Sequence, residues 1–100
     1  MKYFVVDIKY KVPFDKISEI VESHRAYLSK GYDSGLLLLS GPKESKTGGL
    51  VIAKSKTKDE LIDFFKNDPY FLNDFAEYSF IEFLPVKYQK ILSHWIQEEL

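Results

Sequence analysis

Two residues of this chain have the makings of a proton-transfer pair: His24 and Asp68. An imidazole titrates near pH ~6.5, so it can give or take a proton around neutrality, and a carboxylate on one ring nitrogen fixes its tautomer and favours its charged form. His24 falls on an otherwise apolar stripe of Ile17, Val21 and Leu28, spaced three or four apart. A helix with that stripe turns the ring toward a core, where it needs a hydrogen-bond partner. A backbone carbonyl or a water is partner enough. Asp68 stands directly before Pro69, the pairing of a helix N-cap with a proline at the first helical position. Such a cap, worth ~1 kcal/mol, is by itself a sufficient reason for an aspartate. The two roles coexist if one carboxylate oxygen caps while the other holds His24.

Other residues qualify as neighbours of such a pair. Ser40-Gly41-Pro42 closes an apolar run. A glycine there lets the backbone approach a ligand closely, and Ser40 offers a hydroxyl. No Gly-x-Ser-x-Gly elbow surrounds Ser40, which argues against a nucleophile. Tyr70, two residues after Asp68, supplies either a phenolic hydrogen bond or core packing. Gly48-Gly49 precedes a strand and not a helix N-terminus, so it starts a strand and does not cradle phosphate. Asp7 and Glu82 stand among aromatics, and a carboxylate there needs a partner, with Lys9 the candidate. The chain has two histidines, far apart in sequence and with no i,i+4 histidine pair, and no cysteine. Disulfides, thiolate chemistry and a metal site are therefore not expected.

The elements that must position these residues follow from periodicity. Residues 2–12 alternate, with Phe4, Val6, Ile8, Tyr10 and Val12 on one parity, which predicts a strand ended by Pro13. Residues 14–30 predict a helix stopped by Gly31. Leu36-Leu37-Leu38-Leu39, short and flanked by glycines, predicts a strand over 34–41, and Leu50-Val51-Ile52-Ala53-Lys54 predicts another. Thr57 and Glu60 form a capping-box signature for a helix carrying Leu61, Phe64 and Phe65 inward. Residues 78–86 alternate again. The order β-α-β-β-α-β predicts an α+β ferredoxin-like sandwich, an antiparallel sheet with both helices on one face. Both parities of the first and last strands carry large apolar groups, so the second face also needs cover. A second copy of the chain, packed sheet to sheet as a homodimer, is the expected cover. Residues 87–100 carry Tyr88, Ile91, Leu92, Trp95, Ile96 and Leu100 at helical spacing. This C-terminal helical extension lies either on its own chain or on the partner's.

Composition bounds the rest. One hundred residues suit one domain. Aromatics make up 16% of them, enough for a dense core or for surface buried in an oligomer. A formal charge of −1 leaves no basic footprint for nucleic acid. The apolar run at the N-terminus is too short for a signal segment, and no stretch approaches the ~20 apolar residues of a membrane span. The mixed charges of the tail (Lys87, Lys90, Glu98, Glu99) do not suit a membrane-surface helix. A cytoplasmic protein is expected.

The order and spacing of His24, Tyr27-Leu28, Gly31, Gly35, Ser40-Gly41-Pro42, Gly48-Gly49 and Asp68-Pro69-Tyr70 resemble the YCII-related family over residues 1–86. The resemblance implies a ferredoxin-like fold, association as a dimeric α/β barrel, and similarity to muconolactone isomerases and small monooxygenases. It implies an enzyme with a His and an Asp near a pocket, by position His24 and Asp68. Family members often carry a basic or small polar residue just before the histidine. Here Ser23 precedes it and Arg25 follows, so no anion contact is carried over from a basic group there. The expectation is a cofactor-free enzyme acting on a small organic molecule, with His24 and Asp68 catalytic and Ser40, Gly41, Pro42 and Tyr70 binding substrate. The rival is a non-catalytic metabolite-binding or regulatory oligomeric domain built around the same pocket.

Overall fold

The computed structural model describes residues 1–98. Strand β1 spans Lys2–Tyr10, helix α1 Phe14–Asp33, β2 Leu37–Pro42, β3 Gly48–Ser55, α2 Lys58–Phe65, α3 Pro69–Leu72 and β4 Ala76–Phe83. A 3-10 turn over Lys90–Leu92 and helix α4, Ser93–Gln97, follow. The sheet order is β2-β3-β1-β4 with every neighbouring pair antiparallel, the ferredoxin-like arrangement that the element order predicts.

The core lies between this sheet and the helices. Phe4, Val6 and Ile8 of β1 and Val51 and Ala53 of β3 meet Ile17 and Leu28 of α1 and Leu61 and Phe65 of α2, all buried. Each such large side chain contributes ~1.5–3 kcal/mol by leaving water. The Thr57 hydroxyl accepts from the Glu60 amide at 3.1 Å and starts α2 where the capping signature places it.

Several boundaries differ from expectation. Helix α1 does not stop at Gly31 but continues to Asp33. Gly31 is buried inside the helix because β2 starts against it; a Cβ there would lie 2.7 Å from the Leu37 side chain. The left-handed residue that redirects the chain is Gly35, with φ of 82°. Strand β2 begins at Leu37 and shifts register between Leu37 and Leu39. That bulge puts Leu37 opposite Ala53 in the core and Leu39 opposite Ile52 on the other face, which explains four successive leucines in a sheet with two unlike faces. Strand β1 ends at Tyr10, short of Val12, and β4 covers 76–83 and not 78–86.

The register puts Asp7 and Glu82 on opposite faces of the sheet. Asp7 lies opposite Ser79 on the outer face, whereas Glu82 lies opposite Phe4 and so takes the other parity. The partner of Asp7 is not Lys9 but Lys43, which the chain beyond β2 brings to 2.7 Å. Glu82 pairs with Lys2 at 3.8 Å.

The outer face carries Tyr3, Val5, Ile52, Lys54, Ile81 and Phe83. The tail folds back over one end of it, on its own chain. The Trp95 indole donates to the Gly35 carbonyl at 2.9 Å, and the Tyr3 hydroxyl donates to the Ile96 carbonyl. The Lys54 ammonium donates to the carbonyls of Trp95 (2.5 Å) and Glu98 (2.8 Å) and lies 4.7 Å from the centre of the indole ring. Leu100, which ends the expected stripe, and Glu99 lie outside the described residues. Among the described residues no helix is long and apolar enough to cross a membrane.

Candidate active site

The stripe of α1 places His24 against the sheet, buried, between Ile17 and Leu28. Asp68 ends the chain's passage from α2 and caps α3, with Pro69 at the first helical position. Because α1 and α3 pack on the same face of the sheet, cap and stripe meet. The Nδ1 of His24 lies 2.7 Å from Oδ1 of Asp68, whose side chain is fully buried. The same oxygen accepts the cap bond from the Tyr70 amide at 3.2 Å. Cap and imidazole therefore share one oxygen and do not divide the two. The second oxygen, Oδ2, accepts from the Tyr78 hydroxyl at 2.7 Å. Three donors converge on one carboxylate, the arrangement an acceptor-only group can satisfy completely.

This geometry settles the imidazole's orientation. With Nδ1–H donating to Asp68, the Nε2 edge is turned the opposite way. Tyr70 locks the plane of the ring, stacking on it at 3.8 Å between centroids and 9° between planes. Tyr70 is also edge-on to Tyr10 at 5.9 Å. Burial pushes the Tyr70 phenol up, and the charge of Asp68 adds to the effect. Burial likewise pushes the Tyr78 phenol far above its usual range, reinforced by the Asp68 charge and the hydrogen bond to it. Both phenols stay protonated across the physiological range.

A cavity of about 200 Å³ opens beside the ring. It is lined by His24, Ser40, Gly41, Pro42 and Tyr70, all expected at the site, and also by Tyr10 and Arg25. Ser40 forms part of its wall and is held by the Tyr32 hydroxyl at 2.5 Å. A Cβ on Gly41 would meet nothing within 4 Å, so its backbone faces open space. Asp68 does not line the cavity; it stands behind the imidazole. Such an arrangement can orient a base, receive a proton on Nε2 and balance the resulting charge.

Three contributors were not expected from the sequence. Tyr78 sits in an ordinary alternating strand, and only the register that sets it opposite Ile8 brings it to Asp68. Tyr10 continues the parity of Phe4, Val6 and Ile8, which reads simply as core. Arg25 belongs to the polar side of α1 yet borders the cavity. Among the described residues no cluster of three His, Asp or Glu side chains gathers to hold a metal.

A family model described as the YCII-related domain matches residues 1–84. No curated protein matches the chain significantly. Among solved structures, the 5-chloro-2-hydroxyhydroquinone dehydrochlorinase TftG of Burkholderia phenoliruptrix, in complex with 2,5-dihydroxybenzoquinone, superposes with a TM-score of 0.67. The match covers 89% of this chain and 97% of that one at 21% identity, a likeness of fold.

Proposed function

The chain belongs to the YCII-related family, and from that membership we propose that it is an enzyme that moves a proton on a small organic molecule, using its own side chains and no cofactor. The observation that carries this reading is the 2.7 Å bond between His24 and Asp68 at the wall of a cavity. Asp68 holds Nδ1–H, so Nε2 is the basic nitrogen presented to a ligand. In the forward step Nε2 takes a proton from carbon next to a carbonyl, and the electron pair of the C–H bond moves toward the carbonyl oxygen. The imidazolium then returns that proton at another atom, which is an isomerisation, or the electron pair expels a leaving group, which is an elimination. The Asp68 charge compensates the imidazolium in either case. Ser40, Gly41, Pro42 and Tyr70 bound the substrate. The solved relative is a dehydrochlorinase, and elimination of a leaving group is a reaction of this class.

The apolar outer face supports a second element of the proposal, a homodimer packed sheet to sheet. Ile81, Leu39 and Leu50 remain 53%, 56% and 44% exposed on one chain, and Ile52 and Val5 lie in the sheet between Leu39 and Ile81, an apolar face of the kind that a partner covers.

Turnover tests the catalytic reading. Chloride release from 5-chloro-2-hydroxyhydroquinone and deuterium incorporation into small oxo acids would be followed for the wild type, His24→Gln and Asp68→Asn. Loss of a general base lowers the rate by ~10²–10⁴, so His24→Gln is expected to abolish whichever activity the wild type shows. Asp68→Asn, which leaves the ring without its charged partner, falls in between. A His24→Gln protein as fast as the wild type overturns the assignment.

A further inference from the structure

The charge pattern of the cavity says what kind of molecule it takes. The cavity is lined by apolar residues, by Ser40, Tyr10, Tyr70 and His24, and by one permanently charged residue, Arg25. No Asp or Glu is among the residues lining it. Asp68 stands behind His24 with both oxygens occupied by donors. A ligand in the cavity therefore meets cationic and hydrogen-donating groups and no anion.

The placement of Arg25 sharpens this. The residue also lines an adjoining hollow bounded by Phe14, Pro42, Lys43 and Lys46, so it stands where the outer hollow meets the inner cavity. Of the two lysines there, Lys43 is paired with Asp7 at 2.7 Å, and Lys46 lies 5.4 Å over the Phe14 ring. Glu44 is the single acidic residue in that hollow. The charge of Arg25 reaches inward: burial raises the Tyr10 and Tyr70 phenols, and Arg25 pulls both back.

On the reading that this cavity is an active site, we propose that its substrate is a small carboxylate. Arg25 anchors the carboxylate at the cavity mouth, where Tyr10 lines the same wall. The planar guanidinium matches the two oxygens of a carboxylate as no other side chain does. Anchoring there leaves the rest of the substrate to extend inward past the His24 ring. The volume of about 200 Å³ sets the size, since it is below the ~300 Å³ at which drug-sized pockets begin.

The test compares acids with their uncharged amides. Benzoate against benzamide, and propionate against propionamide, would be titrated at low ionic strength into the wild type and Arg25→Gln. Binding is followed by amide and imidazole NMR signals of residues around His24. The wild type is expected to prefer at least one acid over its amide by about tenfold or more, and added salt weakens that preference. In Arg25→Gln the acid-to-amide ratio falls to within about threefold, with the fold unperturbed because Arg25 is exposed. Equal binding of acid and amide by the wild type, or a preference that survives in Arg25→Gln, overturns the proposal. So does a cavity that ignores all four compounds. The catalytic reading fails separately, through unchanged turnover in His24→Gln, and that variant keeps its preference for the acid if the carboxylate anchor is Arg25.

Discussion

Asp68 serves three donors with two oxygens. Its removal is therefore felt in several places at once. Asp68→Ala leaves the His24 Nδ1–H, the Tyr78 hydroxyl and the Tyr70 amide without their acceptor, and abolishes a helix cap. An unpaired buried polar group costs ~1–3 kcal/mol and a lost cap ~1 kcal/mol, so a loss of about 3 kcal/mol or more is expected in urea unfolding. Tyr78→Phe keeps the ring and loses one hydrogen bond to a charged group, about 1.5 kcal/mol. In the Asp68→Ala background the same change should cost almost nothing, because its partner is already gone. Strictly additive losses would show that the two side chains do not act on one another. This layout also explains what was readable residue by residue. His24 stood out because it interrupts an apolar stripe, and Asp68 because it precedes a proline. Tyr78 gave no such sign, since an aromatic in an alternating strand has packing as sufficient reason to be there.

At the scale of elements, the tail is the segment whose placement matters most. Trp95, Tyr3 and Lys54 form one assembly in which the indole covers a lysine that is almost completely removed from solvent. Burial lowers the Lys54 ammonium below its usual range, with the charge of Glu98 opposing the shift. The ammonium is kept in place by carbonyls of the tail itself, so tail and lysine hold each other. Trp95→Ala is expected to cost about 2 kcal/mol, less than the ~3–5 kcal/mol of a core tryptophan because the ring is only half-buried. It should also raise the labelling of Lys54 by an amine reagent, read by mass spectrometry. A variant as stable as the wild type, with Lys54 no more reactive, would mean that the tail is not held by this contact. Periodicity gave the tail its helical character. It left its docking open, because an apolar stripe fits its own sheet and a partner's equally well.

For the molecule as a whole, the sheet has one face sealed by α1, α2 and α3 and one face partly sealed by the tail. The apolar remainder around Ile81 and Leu50 is where a second copy is proposed to pack. Sedimentation at micromolar concentration should then give twice the chain mass of 11.7 kDa. Ile81→Asp should give the monomer, since a carboxylate in an apolar interface has no partner. A wild-type monomer under these conditions would remove the homodimer. What the sequence determined by itself was the element order, hence the sheet topology, together with the separate identities of His24, Asp68 and the Ser40-Gly41-Pro42 segment. Period-two and period-3.6 patterns and cap chemistry are local, and local signals survive in one dimension. Only the tertiary structure decided that cap and stripe share one carboxylate oxygen, that Tyr78 closes the set, that Asp7 takes Lys43, and that Arg25 borders the cavity. Those are contacts between segments far apart in the chain, fixed by strand register and by how helices settle on the sheet. A shift of one residue in register exchanges every side chain between the two faces.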